Sequence, residues 1–151
     1  MTDEQYMNLA LLEARKAIEE NEVPVGAIVV FDGNIVGKGH NGREAKLDIS
    51  SHAEIEAIKD AEKNLGKWDL SGCTLYVTVE PCLMCSGAIL QSNISRLVFG
   101  TTDPTMGAVC SHYEVFDDVT SPNRPLVTKG VLEKECANLM LEFFKSVRKT
   151  K

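Results

Sequence analysis

A chain of 151 residues, 44% hydrophobic and 25% charged, can bury a full core without disulfide staples, so one domain spanning residues 1–151 is expected. A formal net charge of −6 excludes a nucleic-acid binder that works through overall basicity, because such affinity rests on Lys and Arg against phosphate. No apolar stretch approaches the roughly 20 residues that cross a bilayer. The N-terminal MTDEQYMNLA lacks a basic start leading into an apolar run, and the five cysteines are odd in number, so a reduced, cytoplasmic protein is expected.

Met7, Leu11, Ala14 and Ile18 recur at helical spacing with Ala10 and Ala17 beside them, which predicts an amphipathic helix over residues 3–20. VGAIVVF reads as a buried strand. Asp32-Gly33 then marks a tight turn into NIVGKGH, making a β-hairpin from about Val25 to His40. Residues 41–51 are polar and read as loop. A helix beginning near His52 runs through EIEAIKDAEKNL and stops at Gly66, a residue suited to a left-handed C-terminal turn. CTLYVTV is a third strand. Pro81 follows where the first turn of a helix tolerates proline, and CLMCSGAILQS is the third helix. RLVFG is a fourth strand. Thr101 to Pro125 has few periodic features, and PLVTKG is either a short fifth strand or an extended connection. Leu132, Cys136, Leu139, Phe143 and Val147 mark a last helix from Val131 to about Arg148. No repeat, low-complexity tract or linker divides the chain. Strand–helix–strand crossovers give parallel neighbours with helices over the sheet, so this order predicts an α/β fold: a three-layer α/β/α sandwich around a mixed sheet of about five strands.

In that layout the helices starting at His52 and Cys82 point their N-termini toward the same edge of the sheet. Within SSHAEIEAI, Ser51 and Glu54 match the S-x-x-E capping box, which by itself accounts for the glutamate. In VEPCLMCSGAI, Cys82 and Cys85 lie three apart at a helix start, so both sulfurs share a face and the positive helix end favours thiolate. A C-x-x-C there also suits a thioredoxin-type redox pair. No tryptophan stands beside it, however, and the other helix start offers a histidine. His52, Cys82 and Cys85 together are three zinc ligands, and three protein ligands leave a fourth position for water. Zinc lowers the pKa of such a water from above 15 to about 7, and a neighbouring carboxylate, Glu54, can then carry protons.

HAE and PCLMC match the H-x-E…P-C-x-x-C signature of the zinc-dependent nucleobase deaminases. With EVPVGAIVV, the HN at His40 and Asn41, GCTLYVTVEPCLMCSGAI, RLVFG and GVLEKECANLMLEFF, the chain resembles the cytidine and nucleobase deaminase superfamily, and within it the bacterial tRNA adenosine deaminases. The resemblance implies a cytidine deaminase-like fold and hydrolytic conversion of an adenine base to hypoxanthine, adenosine to inosine, at the wobble position of tRNA. It implies Zn2+ held by His52, Cys82 and Cys85, Glu54 as the catalytic proton carrier, and a homodimer. Asn41 matches the position whose amide meets the purine edge, and the Ala53 N–H is a second contact. Val25 walls the pocket, and Asp103 resembles an acidic residue near the substrate. On the residues alone, Asn41 also reads as a turn former, Val25 as core and Asp103 as a loop aspartate. His40 and His112 have no partner ligands in the sequence and read as locally satisfied.

Two segments depart from the tRNA-editing pattern. ISSHAE replaces the common P-T-A-H-A-E, keeping both functional residues. After the fourth strand, MGAVCSHYEVFDD (Met106 to Asp118) replaces a small-residue stretch ending in Gly-Ser, and no Lys or Arg occurs from Gly100 to Val119. A surface so poor in cations suits a free nucleobase or nucleoside, for example guanine, as the alternative substrate. A structural zinc module, with Cys110 as its candidate fourth ligand, is a third reading. The closing KSVRKTK holds four basic residues and no acid, which suits either a helix C-terminus or an RNA-facing tail.

Overall fold

The computed structural model describes residues 1–117 and 123–149, excepting the side chains of residues 148 and 149. The tail residue Lys151, the side chains of Arg148 and Lys149, and Asp118 at the end of the divergent segment therefore lie outside the described residues. The elements run α1 (Asp3–Glu19), β1 (Gly26–Phe31), β2 (Asn34–His40), α2 (Arg43–Lys46), α3 (Ala53–Leu65), β3 (Thr74–Val79), α4 (Leu83–Gln91), β4 (Arg96–Thr101), β5 (Leu126–Lys129) and α5 (Glu133–Lys149).

The strands form one mixed sheet in the order β2-β1-β3-β4-β5. β1 is antiparallel to both β2 and β3, while β3, β4 and β5 run parallel. The β1–β2 hairpin closes on Asp32 and Gly33, both at positive φ (54° and 78°), the conformation a two-residue type I′ turn requires. PLVTKG contributes a true fifth strand, which the sequence had left open.

Period-two alternation in the strands supplies two cores, one for each face. Ala27, Val29, Leu75, Val77, Leu97 and Phe99 pack with Ala53, Ala57, Ala61 and Ile89 from α3 and α4. Ile28, Val30, Tyr76 and Val98 pack on the other face with Met7, Ala10 and Leu11 of α1 and Cys136 of α5. The three expected layers are therefore α1 and α5, the sheet, and α3 and α4. α3 lies tight against β2, where a Cβ on Gly39 would run into the Ala53 carbonyl and the Ala57 amide. This close approach sets the height of the α3 N-terminus on the sheet.

Two local expectations are corrected. Residues 41–51 contain a short helix, α2, whose N-cap Gly42 offers no side chain. The cap comes from Glu22, whose carboxylate accepts the N–H groups of Glu44 (2.7 Å) and Ala45 (3.3 Å), a partner too distant in sequence for a local pattern to reveal. The capping box at α3 does not form either. The N-cap is His52, without a side-chain cap bond, and the Ser51 hydroxyl is buried without a partner.

Candidate active site

Two helix starts meet at the C-terminal end of β3. His52 is the N-cap of α3 and Cys82 the N-cap of α4, with Cys85 in the first turn of α4. His52 Nδ1 lies 3.7 Å from Cys82 Sγ and 3.6 Å from Cys85 Sγ, and the three donor atoms all fall within 4.8 Å of one another. A tetrahedral zinc with Zn–S of about 2.3 Å and Zn–N of about 2.0–2.1 Å would hold N and S donors about 3.6 Å apart. The donor set therefore fits zinc in both chemistry and spacing. Cys110 is not part of this cluster among the described residues, so the four-ligand structural module gains no support.

Protonation in the cluster points the same way. Hydrogen bonding from the Cys85 thiol, then from His52, lowers the Cys82 thiol to about 4. The same bond, together with burial, pushes the Cys85 thiol up. His52 is raised, chiefly by its bond to Cys82. A cation at the centre supplies the charge that lets both sulfurs ionise. Glu54, 4% exposed in the first turn of α3, has its carboxyl pushed up to about 7, first by burial.

His52, Glu54 and Cys82 floor a cleft of about 900 Å³, with Cys85 buried behind them. Val25, Asn41 and Arg43 line one side, and Thr102 to Met106 another. Met140, Phe143 and Phe144 of α5 complete the wall. Of the residues singled out from the sequence, His52, Glu54, Cys82, Val25, Asn41 and Asp103 are brought together here. Ala53 is fully buried, and its N–H donates to Asn41 Oδ1 at 2.9 Å, so that donor is already engaged and Asn41 keeps its amide NH2 to offer. The Asn41 backbone N–H donates to the Val25 carbonyl, locking the end of β2 to the entry of β1. Asp103 lines the cleft, but its Oδ1 accepts the N–H groups of Thr105 and Met106 and so closes a turn. His40 contacts Glu13 and Glu20, and His112 stacks edge-on against Tyr113, both away from the donor cluster.

Sequence reasoning missed two buried carboxylates on the cleft wall, Glu22 and Glu80. Glu80 sits inside the VEPC string already singled out, yet four of its bonds come from backbone N–H groups 23 to 31 residues away, which no side-chain pattern marks, and the fifth from the Ser111 hydroxyl. The wall from α5 was missed as well. Phe143 and Phe144 carry helical periodicity, but the sequence does not say that their helix packs beside the site.

Residues 1–101 match the family model of the cytidine and deoxycytidylate deaminase zinc-binding region. The chain is 43% identical over 149 residues to the tRNA-specific adenosine deaminase of Bacillus subtilis, covering 99% of this chain and 92% of that one. It is similar to a solved structure from a study of A-to-I editing by tRNA:A34 deaminases at the wobble position of transfer RNA, with a TM-score of 0.86 and 43% identity over 89% of this chain and 98% of that one. It also resembles the guanine deaminase of Nitrosomonas europaea, with a TM-score of 0.76 and 26% identity over 93% of this chain and 83% of that one. The signature residues and the whole-chain likeness agree, and the chain belongs to the cytidine and deoxycytidylate deaminase family, alongside the tRNA-specific adenosine deaminases, as a zinc-dependent deaminase.

Proposed function

We propose that this deaminase hydrolyses adenosine to inosine in RNA, at the wobble position of a tRNA anticodon. The observation that carries the reading is the pairing of a buried carboxylate, Glu54, with the His52, Cys82 and Cys85 donor set, of which His52 and Cys82 line the same cleft of about 900 Å³ as Glu54. That volume is at the upper end of small-molecule sites, so it has room for a nucleotide and its neighbours as well as a base.

His52, Cys82 and Cys85 would hold zinc, which supplies Lewis acidity that makes water a nucleophile near neutral pH. The remaining chemistry belongs to the chain. Glu54 takes one proton from the attacking water and gives it to ring nitrogen N1; it then takes the remaining hydroxyl proton at C6 and gives it to the exocyclic nitrogen, so that C6=O forms as the C6–N bond breaks and ammonia leaves. Burial raises the Glu54 carboxyl, which eases its return of each proton to the substrate. Asn41, whose Oδ1 is fixed by Ala53, offers an N–H to an acceptor on the purine edge, N7. Val25 and Phe143 supply apolar walls for the ring. Arg43 is the only Lys or Arg among the described lining residues, while Glu22, Glu44, Glu54, Glu80 and Asp103 are acidic, so the interior is built for a base. Backbone phosphates then fall to cations outside, Lys145 and the tail beyond it.

Residues 1–151 act in this reading as one deaminase domain located in the cytoplasm. No helix among the described residues is long and apolar enough to cross a membrane. Leu47, Ile49 and Leu83 are exposed close in sequence to His52 and Cys82, and their apolar surface supports a homodimer, which light scattering tests.

The deciding experiment offers tRNA, adenosine, adenine, guanine and cytosine in parallel to the purified protein. Inosine in the digested tRNA is expected. Efficient turnover of guanine with tRNA adenosine untouched would replace this reading with free-base deamination, which the cation-free stretch from Gly100 and the likeness to a guanine deaminase favour.

A further inference from the structure

We infer that Glu80 is a positioning residue for substrate: its carboxylate is the template on which residues 103–111 fold into one wall of the cleft. The inference rests on the deaminase reading above and assigns the residue that shapes its binding wall.

Glu80 is 3% exposed at the end of β3 and takes part in no ion pair among the described residues. In place of a cation it collects donors. Oε2 accepts the N–H groups of Val109 (3.0 Å), Cys110 (2.8 Å) and Ser111 (3.0 Å). Oε1 accepts the Asp103 N–H (3.1 Å) and the Ser111 hydroxyl. All five of these bonds are donated to the carboxylate, and they satisfy it in place of a cation.

An ionised carboxylate is the side chain for this task because it accepts at both oxygens and donates nowhere. The loop around it has been shaped to match. A Cβ at Gly107 would be driven into Glu80 Cδ and the Asp103 carbonyl, and the Gly107 N–H donates to that same carbonyl at 2.8 Å. Residues 103–106, which face the cleft, therefore hang from Oε1 through Asp103, while Val109 and Cys110, which pack against the core, and the Ser111 N–H beside them hang from Oε2.

The two oxygens differ in what they can lose. In Glu80→Gln, an NH2 in the Oε2 position would oppose three N–H donors. The amide must therefore place NH2 at Oε1, where the Ser111 hydroxyl can rotate to accept but the Asp103 N–H loses its partner. The substitution selectively loosens the side of the loop that faces substrate. Neither oxygen touches His52, Cys82 or Cys85, so the zinc ligands keep their partners.

The test compares zinc-loaded wild type, Glu80→Gln and Gly107→Ala as full chains. The assays are zinc content, steady-state deamination of tRNA, and amide hydrogen exchange without substrate. Gly107→Ala disturbs the same loop by steric means, and it carries the test if Glu80→Gln does not fold. Zinc content and kcat should be retained, while KM for tRNA rises about 10–100-fold, as expected when a binding wall is displaced by about an ångström. In Glu80→Gln the Asp103 amide should exchange faster, with Val109 to Ser111 as protected as in wild type. Unchanged KM in both variants, or a fall in kcat at constant KM, overturns the inference. If the wild type leaves tRNA untouched, the RNA reading fails by itself, and exchange at Asp103 alone decides the role of Glu80: acceleration upholds it, and wild-type protection overturns it.

Discussion

Replacing Glu54 with glutamine removes the proton carrier while keeping its size, in a position only 4% exposed. The amide cannot accept the proton of the attacking water, so the transfer loses its positioned base. Each proton transfer assisted by a positioned group contributes about 10²–10⁴-fold, and one carboxylate here serves both the nucleophile and the leaving group. Turnover of tRNA should therefore fall by at least about 10³-fold, equivalent to roughly 4 kcal/mol of transition-state stabilisation at 1.36 kcal/mol per factor of ten. Glu54 is not a member of the donor cluster, so zinc content measured by elemental analysis should stay at one per chain, and thermal melting should confirm the fold. Single-turnover kinetics on an anticodon stem-loop separates the chemical step from product release. Turnover within tenfold of wild type would refute the proton-carrier assignment. Zinc lost from a folded variant would instead make Glu54 a ligand.

Gly39→Ala inserts a methyl against the Ala53 carbonyl and should cost about 1–3 kcal/mol by overpacking, with a chelator removing zinc more readily than from wild type as the α3 N-terminus shifts; unchanged metal retention would count against that coupling. Arg96 holds the Asp3 carboxyl below its ordinary value, so the stability this pair contributes is present above the unfolded pKa, about 3.9, and is lost as pH falls through the depressed folded value. The pair is about one-third exposed, so Asp3→Asn should cost only ~1 kcal/mol at pH 7, and denaturant titrations should show the difference from wild type vanishing in acid. Replacing Lys145, Arg148, Lys149 and Lys151 with glutamine should weaken tRNA binding and make log affinity against log salt shallower by up to roughly 3, since each lost phosphate contact removes about 0.7–0.9. A salt slope identical to wild type would remove the tail from the RNA interface.

The candidate site residues were legible in the linear order because their constraint is local. His52 and Glu54 share one helix start, Cys82 and Cys85 another, and the spacing of three in the cysteine pair sets both sulfurs on one helix face. The strand and helix order was legible for the same reason, since the continuous apolar run of GAIVVF and the heptad-like spacing of Met7, Leu11 and Ala14 are properties of neighbours in the chain. What only the tertiary structure decided involves partners brought together by topology. Placing β1 between β2 and β3 carries Asn41 to the start of α3, where its side chain takes the Ala53 N–H. Glu22 caps α2 across 22 residues and Glu80 gathers backbone donors from a loop with no periodicity. Backbone N–H groups are the same at every residue, so a carboxylate that binds them leaves no complementary side chain for the sequence to display. The α5 wall belongs with these, because an amphipathic helix states that it has an apolar face, and only packing states what that face adjoins.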